Sequence, residues 1–270
     1  MLTILFAFFF ILLFLNLPVA FSIGLSSMIA LCFYGDLPLS AIVTRMYSGV
    51  DSFTLLAIPF FILSGQIMSS GGIAKKLISF AKSFIGSFPV GLALINIISA
   101  MLMGSIAGSA LASASAVGGI LGSEMEKEGY SKEFSAAVNI TSATTGLIIP
   151  PSNILIVYSL ASGGVSVTAL FLAGYIPGIL TGLFLLIVAV IWSKKNNYKV
   201  GKRNSLYQVS IEFLKALPSL MLLFIVVGGI IIGVFTPTEA SAIAVLYSLC
   251  LLYTSPSPRD RTRSRMPSSA

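Results

Sequence analysis

Glycine, alanine and serine are concentrated in one stretch of this sequence, Gly104–Gly122, which reads GSIAGSALASASAVGGILG. The stretch is too small and too polar for a helix that faces lipid, but small residues allow helices to approach each other closely. Serine hydroxyls beside unwound backbone also supply oxygen ligands for a hard cation. We predict a helix–turn–helix hairpin that enters the membrane from one side, with Ser105, Gly108 and Ser109 near its tip. A tight helix–helix interface is the alternative explanation of the same composition.

A second segment, Ser142–Asn153, reads SATTGLIIPPSN and predicts a broken helix. Pro150–Pro151 cannot continue a helix, so carbonyls near Leu147–Ile149 lose their helical donors. Inside a membrane, such backbone persists only where it lines a cavity or is buried in protein. Discontinuous helices form ion and substrate sites in secondary transporters. Ser152 and Asn153 open the second half-helix, where they could cap it or help to bind a carboxylate; a proline kink at a membrane interface is the alternative.

A third segment, Gly228–Glu239, ends an apolar run in a helix-start signal, TPTE. Thr236 as N-cap, Pro237 at the first helical position and Glu239 at the third predict a capping box. A structural role is sufficient for Glu239, although an acidic residue near a membrane segment keeps binding as an alternative.

Composition places these segments in a membrane. Of the 270 residues, 56% are hydrophobic and 9% are charged, with a mean hydropathy of +1.00. The apolar runs are continuous and do not alternate, which favours a helix bundle over a β-barrel. The sequence has no His and only two Cys, Cys32 and Cys250, so it lacks the residues for a zinc site, a Cys/His nucleophile pair or a disulfide framework. We expect no enzyme activity, no catalytic residue and no cofactor.

The apolar runs predict several membrane helices, some of them short or interrupted. The first run has no basic flank or cleavage site, so we expect a retained helix and not a signal peptide. Asn16–Leu17–Pro18 interrupts it and predicts either two short spans or one kinked helix. The candidate spans are Met1–Leu15, Val19–Tyr34, Phe53–Met68, Phe88–Met103, Ile154–Leu160 with its flanks, Ala169–Trp192 and Ile211–Val234.

Basic residues predict the orientation of the chain, because Lys and Arg in short loops stay in the cytoplasm. One basic loop carries Lys75, Lys76 and Lys82, and the other extends from Lys194 to Arg203. Both should face the cytoplasm, which requires an even number of crossings between them and therefore a re-entrant or paired apolar segment. The loop Gly35–Ser52, which contains Asp36, Asp51 and Arg45, is expected to lie on the opposite, periplasmic side.

The end of the chain resembles a foreign sequence. Residues 250–260, CLLYTSPSPRD, match one reading frame of a transposon-based sequencing adapter, and the rest is basic and low in complexity. We interpret Cys250–Ala270 as a non-native tail, with a natural basic tail as the alternative. The tail contributes four Arg and one Asp to the net charge of +7. The remaining excess of positive charge belongs to loops and forms no nucleic-acid-binding patch. We therefore expect no nucleic-acid partner.

Six collinear motifs then resemble one known family, the large membrane subunit of the tripartite ATP-independent periplasmic (TRAP) transporters. The resemblance covers residues 1–249. The motifs are PVAF at Pro18–Phe21, IPFFILSGQIM at Ile58–Met68, the SIAGSALASASAVG run, GYSKEFSAA at Gly129–Ala137, IIPPSN, and GVFTPTEASA at Gly233–Ala242.

This resemblance implies an all-α, multi-pass protein of the bacterial inner membrane with an elevator-type fold. It further implies sodium-coupled uptake of an organic acid, such as a dicarboxylate or a sialic acid, with a small membrane subunit and a periplasmic solute-binding protein as partners. The implied regions are scaffold helices in 1–85, the hairpin and broken helix in 86–165, and further helices with the start of an inverted second repeat in 166–249.

The implied site residues follow from matching the family's first hairpin and first broken helix to this sequence. The expected sodium ligands are Ser105, Gly108, Ser109, Gly146, Ile149 and Ser152. The expected substrate contacts are Ser109, Ser113, Pro151, Ser152 and Asn153.

One departure from the family pattern is that the second repeat stops after its opening segments, so we expect half of the substrate site to lie outside this sequence. Two other functions remain as alternatives. An intramembrane serine hydrolase would need a base near the Ser/Gly run, and no predicted span places a Lys there. A membrane scaffold subunit would transport nothing, and a sodium-dependent uptake assay distinguishes it from a permease.

Overall fold

A computed structural model describes residues 1–34, 39–70, 72–85, 91–196, 198 and 205–254 of the chain. The ordered elements in these ranges are all helical, which confirms the predicted all-α class. A short 3-10 helix, Phe53–Leu56, lies between the third and fourth α-helices. The helices are α1 Leu2–Phe14, α2 Val19–Tyr34, α3 Leu39–Val50, α4 Ala57–Ser70, α5 Ile73–Ile85, α6 Gly91–Ala107, α7 Ala110–Lys127, α8 Lys132–Ile148, α9 Asn153–Ala161, α10 Val167–Lys195, α11 Leu206–Ile232 and α12 Pro237–Thr254.

The chain divides into two compact units, and the smaller one is Met1–Ser52. Its first two helices are separated at Asn16, whose φ of 61° is left-handed, a conformation that Asn tolerates better than most residues. They pack side by side, with the rings of Phe8 and Phe33 stacked at 6.2 Å. Of the two alternatives for this region, the structure therefore has two helices and not one kinked helix.

A helix also replaces most of the predicted loop Gly35–Ser52, because Leu39–Val50 forms α3. Its apolar residues recur at helical spacing with polar residues between them, so the segment never reads as an apolar run. Asp36, which supported the periplasmic assignment, lies outside the described residues.

In the larger unit, Phe53–Ala270, the core centres on α6, which packs against α5, α7, α8 and α10. Fully buried side chains from these helices include Leu77, Ile97, Leu121 and Phe171. Of the predicted span Phe88–Met103, the described residues from Gly91 onward form the first arm of a helical hairpin, because α6 continues to Ala107 and α7 begins after two further residues.

Two helices in the described part of the chain are long and apolar enough to cross a membrane, namely α10 and α11. At 1.5 Å per residue α10 is about 43 Å long, which exceeds the roughly 30 Å of a hydrocarbon core. The number rises to as many as four if each of two bent helix pairs forms one span. The length and composition of these helices are consistent with a helical membrane protein.

The first predicted basic loop is in fact the amphipathic helix α5. Its buried face includes Leu77, Ile78 and Ala81, whereas Lys75 is exposed. Lys82, in the last turn, forms an ion pair with Glu124 near the end of α7. A helix with one buried face and charges on the other is typical of a surface position on a bundle.

An aromatic cluster joins the turn between α7 and α8 to the end of α10. Tyr130 stacks on Tyr198 at 4.2 Å, and Phe134 stacks on Trp192 at 6.1 Å. Burial, followed by the nearby charge of Glu128, raises the pKa of the Tyr130 phenol to about 12, so this ring stays protonated. The cluster fixes the far end of the hairpin to the longest helix.

The predicted capping box at the start of α12 is confirmed. The backbone N–H of Thr236 donates to the Glu239 carboxylate at 2.8 Å, and the N–H of Glu239 donates to the Thr236 hydroxyl at 3.3 Å. Further along, the Ser248 and Ser64 hydroxyls are hydrogen-bonded at 2.7 Å, joining α12 to α4.

The helix α12 continues through Thr254, and Leu251 packs against the core. The first five residues of the predicted tail are therefore helical, because apolar residues continue the helix, but only Leu251 among them packs against the core and Tyr253 is 93% exposed. Residues 255–270 lie outside the described part, and their non-native origin stays a prediction.

Candidate functional site

The Ser/Gly run forms the turn-side half of a helical hairpin. The chain turns at Gly108 and Ser109, between α6 and α7. The arms extend beyond Gly104–Gly122, since α6 begins at Gly91 and α7 ends at Lys127. The Ser113 hydroxyl donates to the carbonyl of Ala100 at 2.8 Å and ties the two arms together one turn from the tip.

Glycine is required at the hairpin tip. Gly108 has φ +59°, in the left-handed region, and a Cβ there would lie 2.9 Å from the carbonyl oxygen of Pro151. Ser109 then caps α7, because its hydroxyl accepts from the N–H of Ala112 at 3.4 Å. The tip is therefore a tight turn, and helix α7 begins directly after it.

The second segment is a broken helix. Helix α8 ends at Ile148, and α9 begins at Asn153 with its axis bent by 51°. Pro150 and Pro151 lack the N–H groups that the carbonyls of Gly146 and Leu147 would otherwise accept. The Ser152 hydroxyl donates to the Leu147 carbonyl, and it accepts from the N–H of Leu155 at 3.4 Å. Ser152 thus repairs one orphan carbonyl and caps the second half-helix.

The hairpin and the broken helix cross at a pair of glycines. A Cβ on Gly104 would lie 2.3 Å from the Cα of Gly146, and one on Gly146 would lie 2.4 Å from the Cα of Gly104. The two backbones are therefore in direct contact, as small residues permit between membrane helices. Because the crossing lies within one turn of the end of each helix, the hairpin tip and the helix break come together.

Other helices close on the same point. A Cβ on Gly65 of α4 would lie 2.8 Å from the Cα of Ala107, and one on Gly174 of α10 would lie 2.6 Å from the Ile148 carbonyl oxygen. A small cleft lies beside Ser105 and Pro151, and its other walls are apolar side chains of α4, α6, α11 and α12. The break is thus buried in protein, as irregular backbone in a membrane must be.

The electrostatics of the site follow from four helix ends. The C-terminal ends of α6 and α8 and the N-terminal ends of α7 and α9 meet where Gly108 lies against Pro151 and Asn153. Helix C-termini carry partial negative charge from free carbonyls, and N-termini carry partial positive charge from free N–H groups. The arrangement can hold a cation against the carbonyl ends and an anionic group against the amide ends.

The expected site residues fall into two groups in the structure. Around the tip and the break lie Ser105, Gly108, Ser109, Gly146, Ile149, Pro151, Ser152 and Asn153. Ser113 lies one turn further along α7, where its hydroxyl donates to the carbonyl of Ala100 on the other arm. The Ser105 hydroxyl donates to its own helix at Leu102, at 2.8 Å, which leaves its oxygen free to accept or coordinate.

Asn153 offers an unsatisfied polar atom at this site. Its Oδ1 is buried and has no hydrogen-bond partner among the described residues. Its Cγ lies 3.6 Å from the position a Cβ of Gly108 would take. A buried amide oxygen without a partner at a contact between broken helices is suited to a ligand.

Sequence reasoning named Gly146 as a sodium ligand but did not predict its crossing with Gly104. Gly104 and Gly146 each precede a predicted break by a few residues, but nothing in the sequence pairs them. It also missed three polar residues within these helices, Asn96 on α6 and Asn139 and Ser142 on α8, of which Asn96 and Ser142 are fully buried. Polar side chains within apolar helices were the available signal.

Comparison with known proteins identifies relatives along most of the chain. The family model described as "Tripartite ATP-independent periplasmic transporter, DctM component" matches residues 6–268. The chain is 56% identical over 250 residues to a Salmonella typhimurium protein named "Uncharacterized protein YgiK", a match that covers 92% of this chain and 58% of that protein.

Two further relatives come from Vibrio cholerae. A C4-dicarboxylate TRAP transporter large permease protein, DctM, is 41% identical over 86% of this chain and 51% of its own length. A sialic acid TRAP transporter large permease protein, SiaM, is 36% identical over 89% of this chain and 56% of its own length. The chain therefore spans somewhat more than half the length of the curated relatives it matches.

Proposed function

Because this chain belongs to the DctM family of tripartite ATP-independent periplasmic transporters, we propose that it forms the first half of a permease that couples uptake of an organic acid to sodium. The observation that supports this proposal is the contact between the hairpin tip at Gly108 and the helix break at Pro151. Broken helices that meet in this way form the ion and substrate sites of secondary transporters.

The residues at the tip and the break fit a sodium ion. Hard cations take several oxygen ligands from carbonyls and hydroxyls. The two prolines deprive carbonyls near Gly146 of their helical donors, and the Ser105 and Ser109 oxygens lie on the facing hairpin. These oxygens would hold the ion, whose positive charge would offset the partial negative charge of the two helix C-termini.

The amide side of the same contact fits the substrate. The N-termini of α7 and α9 point their free N–H groups to one place, and carboxylates bind favourably at helix N-termini. Ser152 and Asn153 stand at the first turn of α9, where they would help to orient the carboxylate. The DctM and SiaM relatives are named for a C4-dicarboxylate and a sialic acid, both of which are carboxylates.

The proposal includes an elevator-type movement. The hairpin, α8 and α9 would move as one body with their bound ligands, because the Gly104–Gly146 contact leaves no room for the hairpin to slide alone. A small membrane subunit and a periplasmic solute-binding protein would complete the system, as the family description implies. The solute-binding protein would deliver the organic acid.

The test uses a full-length permease that contains this segment, reconstituted with its two partner proteins. We expect Ser152→Ala and Ser109→Ala to raise the sodium concentration that gives half-maximal uptake by roughly tenfold, since each variant loses interaction energy of about 1.4 kcal/mol. The matched control is Ser115→Ala on the same helix, whose exposed hydroxyl bonds only to its own backbone.

Two results would contradict the proposal. Uptake with unchanged sodium dependence in both site variants would remove the tip and break from the sodium site. Correct assembly of the complex without any sodium-dependent uptake would instead favour a scaffold subunit.

A further inference from the structure

A second group of buried polar side chains lies between the hairpin and α8, away from the tip. We name it the polar cluster, and it consists of Asn96 on α6 with Asn139 and Ser142 on α8, together with Ser135, which lies one turn before Asn139 on the same face of α8. Asn96 and Ser142 are 0% exposed and Ser135 is 4% exposed. Asn139 precedes Ile149 by ten residues, or about 15 Å along the helix, so the cluster is separate from the helix break.

The polar cluster connects all three helices of this region. The Ser142 hydroxyl lies 3.4 Å from the Asn96 Oδ1 and 3.2 Å from the Asn139 carbonyl oxygen. The Asn139 Nδ2 donates to the carbonyl of Ala114 on α7 at 3.0 Å. A ligand bound here would therefore contact both arms of the hairpin and α8.

Several atoms of the polar cluster are unsatisfied. The Asn139 Oδ1 and the Ser135 Oγ are buried, with no hydrogen-bond partner in the described part of the chain. The Asn96 Nδ2 reaches only the sulfur of Met125, at 3.7 Å, and a thioether is a weak acceptor. Buried polar atoms are nearly always satisfied by protein, water or an ion, so these atoms indicate a binding position.

We propose that the polar cluster binds a sodium ion, with accompanying water, as a cation position separate from the one at the hairpin tip. Its oxygens come from amides and hydroxyls, which are the ligands that hard cations prefer. The described residues include no group of three or more His, Cys, Asp or Glu side chains that could hold a metal ion. A neutral set of ligands favours a monovalent ion over a divalent one, because carboxylates usually offset the charge of calcium or magnesium.

Binding at the polar cluster would strengthen the packing of the hairpin on α8. The cluster lies along the same pair of helices whose glycine crossing brings the tip to the break, so the ion would stabilise the geometry of the tip site from a distance. This inference rests on the proposed function only for the identity of the ion. The orphan atoms themselves belong to a different part of α8.

The test compares melting temperatures of the purified full-length permease in sodium chloride and in choline chloride at equal ionic strength. We expect Ser135→Ala to lose at least half of the sodium-induced rise in melting temperature. Equilibrium dialysis with radioactive sodium should show one ion fewer per protein. The matched control is Ser241→Ala on α12, a fully buried serine whose hydroxyl already bonds to the Thr238 carbonyl at 2.6 Å, and it should keep the full sodium effect.

Two results would overturn the inference. If Ser135→Ala melts at a higher temperature than the wild type by the same amount in both salts, Ser135 is only an unpaired hydroxyl. If Ser135→Ala melts at a lower temperature than the wild type by the same amount in both salts, the cluster binds water alone. If Ser135→Ala does not yield folded protein, Ser142→Ala carries the same test. The Ser152→Ala variant distinguishes the two proposals. Unchanged sodium dependence of uptake in Ser152→Ala would refute the sodium site at the tip. The number of sodium ions bound by Ser135→Ala would still test the polar cluster.

Discussion

Replacing Gly104 by Ala should destabilise the protein, although alanine is the better helix former. The substitution adds one methyl group, which would lie 2.3 Å from the Cα of Gly146. An ordinary contact is 3.4 Å or more, so α6 and α8 would have to separate by roughly 1 Å at their crossing. The opposing atom is backbone and cannot rotate away, so the strain must be relieved by moving a whole helix.

The expected magnitude comes from two opposing effects. Alanine gains about 1 kcal/mol over glycine inside a helix. Overpacking in a close contact typically loses about 1–3 kcal/mol, and a backbone–backbone clash belongs at the upper end of that range. We expect a net loss of about 2 kcal/mol for Gly104→Ala. The control is Gly119→Ala on α7, where a Cβ meets nothing within 4 Å, and it should gain up to about 1 kcal/mol.

The assay is unfolding of the purified full-length permease, followed by helix signal, for the wild type and both variants. A difference of about 3 kcal/mol between the two alanine variants is the expected result. Sodium should also protect Gly104→Ala less than it protects the wild type, because separating the helices withdraws the tip from the break. If Gly104→Ala were as stable as Gly119→Ala, the direct backbone contact between α6 and α8 would be refuted.

Three further predictions concern topology, capping and the aromatic cluster. Cysteines introduced at Lys75 and Lys195 should react with an impermeant reagent from the same side of the membrane, and labelling from opposite sides would contradict the orientation drawn from the basic residues. Thr236→Ala should lower the free energy of unfolding by about 1 kcal/mol, because it removes the N-cap of α12, whereas Thr236→Ser keeps a capping hydroxyl and should stay close to the wild type, as measured by thermal unfolding. Tyr198→Ala should lower the free energy of unfolding by about 0.5–1.5 kcal/mol more than the loss of buried apolar area alone would, because the ring stacks on Tyr130 at 4.2 Å. An unchanged unfolding curve would show that the stacking contributes nothing.

Local chemistry made parts of the site predictable from the sequence. Pro150 and Pro151 end a helix wherever they stand, because neither has a backbone N–H to donate. The Thr236–Glu239 capping box depends on residues three apart and needs no tertiary information. The break and the start of α12 therefore appear in the structure where the sequence places them.

Contacts between distant segments were not predictable in the same way. The stacking of Tyr130 on Tyr198 joins residues far apart in sequence, and both rings would also suit an ordinary membrane interface. The helix α3 was missed because its apolar residues are spaced at helical intervals and never form a run. The orphan Oδ1 of Asn139 becomes informative only once its neighbours are known.

The crossing of Gly104 and Gly146 explains why the Ser/Gly run and the Pro150–Pro151 break, which are separate in sequence, come together in the structure. Asn96 meets Ser142, and Gly104 meets Gly146 eight residues further along α6 and four further along α8, so the two helices run in the same direction as they cross. From the crossing, α6 has three residues left before it ends and α8 has two, so both helices terminate at nearly the same depth. Slipping α6 by one turn would shift the tip by about 5.4 Å, more than twice an oxygen–sodium distance of roughly 2.4 Å. A glycine pair at this register therefore does more than permit close packing, because it sets the depth at which carbonyl ends and amide ends from both segments can share a ligand.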